Sequence, residues 1–241
     1  MPPFLFPPMP PVALPVLGQD LAIPLRRVFC VGRNYADHAR EMGADPGRQP
    51  PVFFTKPVDA VVPGDGDRPY PPATDDLHPE VELVVVLGDA AETAGRDLDP
   101  DAALSLVAGY AVGLDMTRRD LQAHAKRAGE PWDMAKGFDQ SALVGPVTLA
   151  TALPGRDGPP HRGTITLTVN GAARQAGDLA DMIWPLADIL AHLSRLVTLR
   201  PGDLVFTGTP AGVGPVRPGD TLRAEAEGLA PLTLRITPRS P

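Results

Sequence analysis

The sequence predicts an α+β fold built from short strands and short helices. Its apolar strand segments are brief and end abruptly, as in residues 78–88, HPEVELVVVLG. An Asn170-Gly171 pair between alternating segments is a strong hairpin signal. The long alternation of strands and helices in a doubly wound sheet is missing, and the glycines of residues 208–214, GTPAGVG, lack the strand-to-helix context of a dinucleotide site.

The composition indicates a globular protein that acts on small molecules or proteins. The chain has 241 residues, 43% hydrophobic and 21% charged, which suffices for one large domain or at most two. Its formal net charge is -7 and no basic stripe occurs, so neither nucleic acid nor an anionic membrane surface is an expected partner. The single cysteine, Cys30, excludes an intrachain disulfide and suits a reducing compartment.

Residues 1–25 are rich in proline and predict an arm that lies on the domain or on a neighbouring subunit, ahead of a single domain over residues 26–241. The arm is apolar, but it lacks a basic start, and its prolines oppose the helix of a signal peptide. No apolar stretch reaches the roughly 20 residues that span a bilayer. These features predict a cytoplasmic protein.

The first predicted helix carries two titratable side chains. It follows a strand at residues 26–32, RRVFCVG, and spans residues 34–43, NYADHAREMG, with Gly43 as its C-terminal stop. His38 and Glu41 are three positions apart, so they share a helical face and can pair.

The chain uses lysine sparingly. Residues 45–74 predict loops around one strand, PVFFTKP, which contains one of only three lysines among the 22 basic residues. A residue type that is used so rarely raises the question of whether each lysine has a function. The alternative is that each one is an exposed residue present by chance. The lysines are Lys56, Lys126 and Lys136.

A second strongly apolar strand ends at a carboxylate, Asp115, in the segment GYAVGLDM. Asp99 and Pro100 predict the N-cap and first residue of the helix before it. Thr117 is predicted to cap the helix after it, which closes at Gly129. Three side chains recur at helical spacing along that second helix: Arg119, Gln122 and Lys126.

The C-terminal half predicts a hairpin, one helix and a run of short strands. Residues 164–175 alternate around Asn170-Gly171, which predicts the hairpin. Residues 185–199 predict an amphipathic helix with Pro185 in its first turn. The segment after this helix alternates short strands with turn signals.

Two carboxylates open the most apolar strand. Residues two apart in a strand point to one face, so Glu80 and Glu82 aim together, while both faces beyond them are apolar. Two carboxyl groups buried side by side either have raised pKa values or need a cation to stabilise their ionised forms. Asp115 can supply a third carboxylate, and three hard oxygen ligands select Mg²⁺, Mn²⁺ or Ca²⁺. The alternative is pairing with arginines at the sheet edge, Arg118 or Arg119.

Five segments together resemble the fumarylacetoacetate hydrolase family, in its short single-domain branch. The resemblance covers about residues 26 to 236, and the N-terminal segment is similar to that of bacterial fumarylpyruvate hydrolases of gentisate-type aromatic degradation. It implies a mixed, layered β-roll or sandwich with short peripheral helices, and a homodimer. The segments are VGRNYADHAREMG, HPEVELVVVLG, GYAVGLDMTRRDLQ, MAKGFDQSALVGP and LVFTGTPAGVGPV.

The resemblance also implies a role for each candidate site residue. The divalent cation, with Mg²⁺ expected and Mn²⁺ or Ca²⁺ as alternatives, is held by Glu80, Glu82 and Asp115. The catalytic residues are His38, Glu41, Lys136 and Gln122. The residues that bind substrate are Arg119, Thr209, Arg33, Tyr35 and Lys56. His78, two residues before the first glutamate, is a candidate to contact the metal-binding residues without touching the metal itself.

The activity implied by the resemblance is metal-dependent hydrolysis of the carbon-carbon bond of an acylpyruvate, with fumarylpyruvate as the expected substrate. His38, oriented by Glu41, takes a proton from the attacking water, and Lys136 and Gln122 stabilise the oxyanion. The alternatives are oxaloacetate decarboxylation, a general acylpyruvase, and isomerisation or hydration of unsaturated 2-oxo acids. A non-catalytic protein held together by a metal ion is the alternative from another class.

Overall fold

A computed structural model describes residues 3–43, 50–153 and 162–239, and all structural statements below concern these residues. Their strands, in chain order, are β1 (Ala13–Pro15), β2 (Ala22–Pro24), β3 (Arg27–Gly32), β4 (Val52–Lys56), β5 (Val61–Pro63), β6 (Gly66–Pro69), β7 (Leu77–His78), β8 (Val81–Leu87), β9 (Val107–Asp115), β10 (Thr117–Arg118), β11 (Ala142–Val144), β12 (Thr148–Leu149), β13 (Thr164–Val169), β14 (Ala172–Asp178), β15 (Asp203–Phe206), β16 (Thr221–Ala226) and β17 (Leu232–Thr237).

The α-helices are few and short, as the sequence predicts. They are α1 (Ala36–Glu41), α2 (Ala91–Ala94), α3 (Pro100–Leu104), α4 (Arg119–Ala128), α5 (Asp133–Lys136) and α6 (Leu186–Leu196). Single 3₁₀ turns cover Val58–Ala60, Ala150–Ala152 and Leu179–Asp181. In the part of the chain that the structure describes, no helix is long and apolar enough to cross a membrane.

Two mixed sheets form the body of the fold. The larger has the strand order β4-β3-β15-β8-β9-β11-β5, with β12 paired to β9. The second has the order β14-β13-β16-β17-β6 and shares a hydrophobic core with one face of the first. Two small antiparallel pairs, β1-β2 and β10-β7, complete the sheets. This layered arrangement with short helices confirms the predicted α+β fold.

Strand β8 lies at the centre of the larger sheet and positions the site. It pairs with β15 on one side and β9 on the other, both antiparallel, and all seven of its residues are buried. Alternate side chains enter different cores. The core between the two sheets receives Val81, Leu83, Val85 and Leu87. A second core, on the opposite face, receives Val84 and Val86. The predicted burial of this strand on both faces is therefore confirmed.

Several local predictions are confirmed by the backbone. Asn170 and Gly171 have φ values of 53° and 78° and join β13 to β14, because a tight hairpin turn needs positive φ at both positions. Gly129 ends α4 with φ 70°. Asp99 caps α3, its carboxylate accepting a 2.8 Å hydrogen bond from the backbone N–H of Ala102.

The predicted capping role of Thr117 is wrong. Thr117 lies in β10, where it pairs with His78, and the N-cap of α4 is Arg118, which makes no side-chain cap. The Thr117 hydroxyl is buried and instead accepts a 2.7 Å hydrogen bond from Lys136 Nζ. The long-range strand pairing and the buried lysine outweigh the local capping preference.

The proline-rich N-terminal segment has two structurally distinct parts. Residues 13–24 form the β1-β2 hairpin, and Leu14 is fully buried in the second core. The preceding residues from position 3 have no regular secondary structure and are largely exposed, with Leu5 96% accessible. The segment thus lies partly on the domain, and the boundary between arm and domain at residue 25 stays a prediction.

Candidate active site

Three buried carboxylates meet where β8 and β9 lie side by side. Glu80 directly precedes β8, Glu82 is its second residue, and Asp115 ends β9. The backbone N–H of Asp115 donates a 2.9 Å hydrogen bond to the Glu80 carbonyl, which brings the two strand ends together. One carboxylate oxygen from each residue lies within 4.8 Å of the others. The structure therefore unites the three predicted metal ligands.

Two lysines contact this carboxylate triad. Lys136 Nζ donates to Glu80 Oε2 at 2.8 Å, to Asp115 Oδ2 at 2.6 Å and to the Thr117 hydroxyl at 2.7 Å. Burial disfavours its charged form, but Asp115 and Glu80 outweigh that cost and raise the pKa of Lys136. Lys56 Nζ lies 2.7 Å from Asp115 Oδ1, and its side chain is fully buried. Both lysines therefore support the triad directly.

The Lys56 side chain is fully buried, whereas its predicted role in substrate binding would place it at the surface of the site. Its ammonium also donates to the backbone carbonyl of Met116 at 3.2 Å and to that of Lys136. These contacts fix the chain on either side of the triad. Lys56 is thus in position to orient Asp115 from behind the site.

The two glutamates of the triad differ in their electrostatic surroundings. Burial raises the pKa of Glu80, but Lys136 and Arg119 outweigh burial and leave it well below its usual value. The pKa of Glu82 is raised well above its usual value by burial and by the charges of Asp115 and Glu80. Among the described residues, the one hydrogen-bond partner of the Glu82 carboxylate is the backbone N–H of Gly208, which donates to Oε2 at 2.6 Å. Glu82 is therefore the carboxylate that most needs a positive charge.

A glycine at position 208 makes that contact possible. Gly208 has φ 100°, and a Cβ atom there would lie 2.6 Å from Asn34 Cβ. Asn34 itself donates to the Thr207 carbonyl at 2.7 Å, so the chain before α1 is tied to the turn after β15. This close approach allows a backbone N–H to reach Glu82.

The triad fits a divalent cation. It offers three carboxylate oxygens and no sulfur or nitrogen ligand, which is the donor set that Mg²⁺, Mn²⁺ and Ca²⁺ prefer. Burial and the charges of Asp115 and Glu80 raise the pKa of Glu82, so a bound cation would stabilise its ionised form. The predicted pairing with arginine is also observed in part, because Arg119 Nη2 contacts Glu80. Arg118 instead stacks on the Phe138 ring, 4.4 Å from its centroid.

His38 and Glu41 form the predicted pair on α1, with 3.3 Å between Nδ1 and Oε2. Burial lowers the pKa of His38 below its usual value, although Glu80 and Glu41 oppose this effect. The imidazole is therefore neutral near pH 7. The Gly212 N–H lies 3.3 Å from both Glu41 carboxylate oxygens and links α1 to the glycine-rich segment after β15.

Arg119 connects the triad to a line of polar side chains. Beyond its contact with Glu80, its Nη1 donates to Gln122 Oε1 at 2.6 Å, and its Nε donates to His78 Nδ1 at 3.4 Å. His78 Nε2 in turn lies 2.9 Å from Asp76 Oδ1. His78 thus contacts the site through Arg119, and every guanidinium nitrogen of Arg119 has a protein partner.

The predicted site residues divide into those that line the cavity above the triad and those that do not. This cavity, of about 30 Å³, is lined by the triad and by Arg33, Gln122, Lys136 and Thr209. The predicted residues outside its wall are His38, Glu41, Lys56, Arg119 and Tyr35. Tyr35 is a core residue, 3% exposed, and borders a different cleft beside Asp181 and Pro210.

The hydroxyl group of Thr209 donates one hydrogen bond and accepts another within the protein. It donates to the Val81 carbonyl at 2.9 Å and accepts from Gln175 Nε2 at 2.8 Å. Gln175 also accepts from the Val81 N–H at 3.0 Å, so it joins the turn of Thr209 to the start of β8. Sequence reasoning missed Gln175, whose only signal is an amide in a strand of otherwise small or exposed residues.

Two further cavity residues were missed as site residues. Lys126 and Trp132 line the same cavity as the triad, and Lys126 Nζ lies 5.3 Å from the centroid of the Trp132 ring. A larger neighbouring cleft of about 490 Å³ shares Phe54, Trp132 and Lys136 with the cavity. The sparing use of lysine was the signal that could have identified Lys126.

Comparisons with known proteins agree with this geometry. The family model for the C-terminal part of fumarylacetoacetate (FAA) hydrolase matches residues 27–237. The crystal structure of fumarylpyruvate hydrolase from Pseudomonas aeruginosa in complex with Mn²⁺ and pyruvate is 46% identical, with a TM-score of 0.93 over 98% of this chain and 100% of that one.

Two sequence relatives have a different activity in their names. The human mitochondrial oxaloacetate tautomerase FAHD1 is 40% identical over 211 residues, which are 88% of this chain and 91% of the human protein. The Escherichia coli oxaloacetate tautomerase YcgM is 40% identical over 221 residues, 91% of this chain and 96% of that protein.

Proposed function

We propose that this chain, which belongs to the fumarylacetoacetate hydrolase family, hydrolyses the carbon-carbon bond that joins an acyl group to pyruvate. Fumarylpyruvate is the proposed substrate, and fumarate and pyruvate are the products. The observation that carries the proposal is the pair on α1 formed by the buried His38 and the exposed Glu41, because the His38 imidazole also interacts electrostatically with Glu80 of the carboxylate triad. A purely structural ion would not require such a histidine–glutamate pair.

Glu80, Glu82 and Asp115 would hold Mg²⁺, the proposed cofactor, with Mn²⁺ and Ca²⁺ as alternatives. When bound, such a cation polarises the oxygens of a 2-oxo acid and neutralises charge that develops on them. Lys56 and Lys136 keep two of the carboxylates oriented while this happens.

His38 is the proposed general base. Its Nδ1–H donates to Glu41, so Nε2 carries a lone pair that takes a proton from water as the water oxygen attacks the acyl carbonyl. Glu41 stabilises the resulting imidazolium. The acyl carbon then keeps the water oxygen, and the electron pair of the breaking bond goes to the pyruvate fragment. His38 returns the proton to that fragment, which leaves as pyruvate.

Gln122 and Lys136 are the proposed donors to the oxyanion. Arg119 occupies Gln122 Oε1, which leaves the amide nitrogen of Gln122 as the group that faces substrate. All three protons of Lys136 point at protein oxygens, so Lys136 acts on the oxyanion by its charge unless one of these hydrogen bonds is exchanged. Both residues line the cavity.

The test is to incubate the pure protein with Mg²⁺ and fumarylpyruvate and to follow loss of the enol absorbance together with release of pyruvate. His38→Ala should lower turnover by about two to four orders of magnitude, the usual range for loss of a general base. His124→Ala is the matched control, because His124 is an exposed histidine on α4. An absence of turnover, or equal turnover by the two variants, would contradict the proposal.

A second candidate function is tautomerisation of oxaloacetate, supported by the two relatives named for it. It needs proton transfer at carbon but no attack by water. Enol oxaloacetate added to the protein would then convert to the keto form without release of pyruvate, carbon dioxide or any other fragment. Product identification therefore separates tautomerisation, decarboxylation and hydrolysis.

The biological setting proposed for this activity is gentisate-type aromatic degradation in the cytoplasm. Support comes from the fumarylpyruvate hydrolase of Pseudomonas aeruginosa, and from the buried free thiol of Cys30, which suits a reducing compartment. A homodimer is proposed from the family alone. Gel filtration with light scattering would measure the oligomeric state.

A further inference from the structure

All three lysines of the chain lie at the candidate active site. Lys136 and Lys56 contact the triad, and Lys126 lines the cavity above it. The other 19 of the 22 lysine and arginine residues of the chain are arginines. Two of the lysines contact carboxylates, but Lys126 has no carboxylate partner among the residues that the structure describes. Its presence in the cavity wall therefore has no structural explanation so far.

Lys126 lies at the far end of the functional face of α4. The same face carries Arg119, which contacts Glu80, and Gln122, which faces the cavity. With a rise of 1.5 Å per residue, Lys126 is placed about 10 Å beyond Arg119 along the helix axis. A molecule that is fixed at the triad and extends past Gln122 would reach Lys126 with its other end.

The surroundings of Lys126 favour an anion. Burial, together with the charges of Arg119 and Arg33, lowers the pKa of Lys126 to about 8. Among the described residues, neither Lys126 nor Arg33 forms an ion pair with a carboxylate. Arg33 lines the same cavity and has a φ of 61°, which is uncommon for a residue with a side chain.

We infer that Lys126, assisted by Arg33, binds a second carboxylate at the end of the acyl group, and so selects substrates that are dicarboxylates. This inference rests on the proposed function and narrows its substrate class. The 2-oxo acid end lies at the triad, the acyl carbonyl lies beside Gln122, and the terminal carboxylate meets the two free cations. The Lys126 ammonium lies over the ring of Trp132, 5.3 Å from its centroid, which helps to hold it in place.

The kinetic experiment compares fumarylpyruvate, which has the terminal carboxylate, with acetylpyruvate, which lacks it. Lys126→Gln should raise KM for fumarylpyruvate about tenfold or more with little change in kcat, because one hydrogen bond to a charged group is lost in ground state and transition state alike. The value of kcat/KM for acetylpyruvate should stay within about twofold. Lys126→Arg should restore most of the preference.

Arg127→Gln is the matched control. Arg127 is the next residue on α4, is exposed, and lies outside the cavity wall, so its loss removes the same charge without removing the proposed contact. The preference for fumarylpyruvate should not change in this variant. An equal loss for both substrates in Lys126→Gln, or an equal effect of Arg127→Gln, would overturn the inference.

A binding experiment separates this inference from the proposed function. Calorimetry with Mg²⁺ compares 2-oxoheptanedioate with 2-oxoheptanoate, saturated 2-oxo acids of equal length that contain no cleavable acyl bond. The wild-type protein should prefer the diacid, and Lys126→Gln should remove that preference while leaving the affinity for the monoacid unchanged. If no acylpyruvate is turned over but this preference is found, the proposed reaction fails and the carboxylate site stands. If the diacid is not preferred, the inference fails.

Discussion

Two buried acidic regions of this molecule are neutralised in different ways. At the start of β15, the fully buried Asp203 receives Arg27 Nε at 3.1 Å and Arg27 Nη2 at 2.7 Å on its two oxygens. The backbone N–H of Arg200 and the guanidinium of Arg26 complete its partners, at 2.9 and 3.3 Å. At the start of β8, three carboxylates meet, and in the described part of the chain Glu82 has a backbone N–H as its one hydrogen-bond partner.

The difference separates a structural acid from a functional one. The single negative charge of Asp203 faces two guanidinium groups, those of Arg26 and Arg27. The planar guanidinium of Arg27 binds both carboxylate oxygens in a bidentate arrangement. Three cations, Lys56, Lys136 and Arg119, contact the triad, but they contact only Asp115 and Glu80. Among the described residues Glu82 therefore has no cationic partner, and a bound metal ion could supply one.

The largest expected effect comes from removing the charge of Glu82. Glu82→Gln keeps an oxygen that can accept from Gly208 but removes the carboxylate with the raised pKa. Turnover should fall by about a thousandfold, a loss of about 4 kcal/mol in transition-state stabilisation. The Tm measured in EDTA should not fall, because the like-charge repulsion is relieved. A large drop in that Tm would mean that Glu82 is structural.

The opposite outcome is expected at Asp203. Asp203→Asn removes a fully buried carboxylate that accepts from Arg26, Arg27 and the Arg200 N–H, and turns an amide N–H toward these donors. It should cost about 3 kcal/mol of unfolding free energy. Chemical denaturation measures this loss. The kcat of the folded protein should be unchanged, since Asp203 lies at the other end of β15 from the turn that contacts Glu82. A kcat loss as large as that of Glu82→Gln would remove the distinction between the two regions.

Removal of divalent cations should destabilise the protein to a smaller extent. A cation present at about 100 times its Kd stabilises the folded state by about 2.7 kcal/mol, so EDTA should lower Tm and added Mg²⁺ or Mn²⁺ should restore it. In Glu82→Gln the difference between EDTA and Mg²⁺ should shrink, whereas in Asp203→Asn it should persist. Equal Tm with and without cation in the wild-type protein would contradict the site.

The smallest expected effect is a shift in the pH profile. His38 must be neutral to act as a base, and burial lowers its pKa, so kcat/KM should fall as pH drops through a value below about 6.5. The Glu41 carboxylate raises that pKa. Glu41→Gln should therefore move the acid limb to still lower pH while reducing the plateau. An acid limb that stays in place would show that Glu41 does not act on His38.

Local signals and the family resemblance predicted much of this site, and tertiary contacts determine the rest. The alternation along residues 80–87 placed Glu80 and Glu82 on one face, and the abrupt end of the next apolar strand identified Asp115 as their neighbour. Spacing alone paired His38 with Glu41. Each of these features depends on neighbouring positions within one element.

Other features could not be predicted, because they depend on segments that are distant in sequence. Thr117 has the composition of a helix cap, but its pairing with β7 and its contact with Lys136 arise only in the folded chain. Gln175 contacts Val81 across 94 positions, and no local pattern marks it. Lys126 was noted for its residue type and helical spacing, and only the cavity shows its relation to the site.

The burial of β8 has a consequence for how the site opens. Its seven residues lie between two cores and two neighbouring strands, so their amide protons should exchange with solvent only when the whole domain unfolds. The six-residue helix α1 is tied to the fold by loop contacts such as that of Gly212 with Glu41, and its amides should exchange through local opening. A substrate would then reach the site through motion of α1, which carries His38, while the carboxylate triad stays in place.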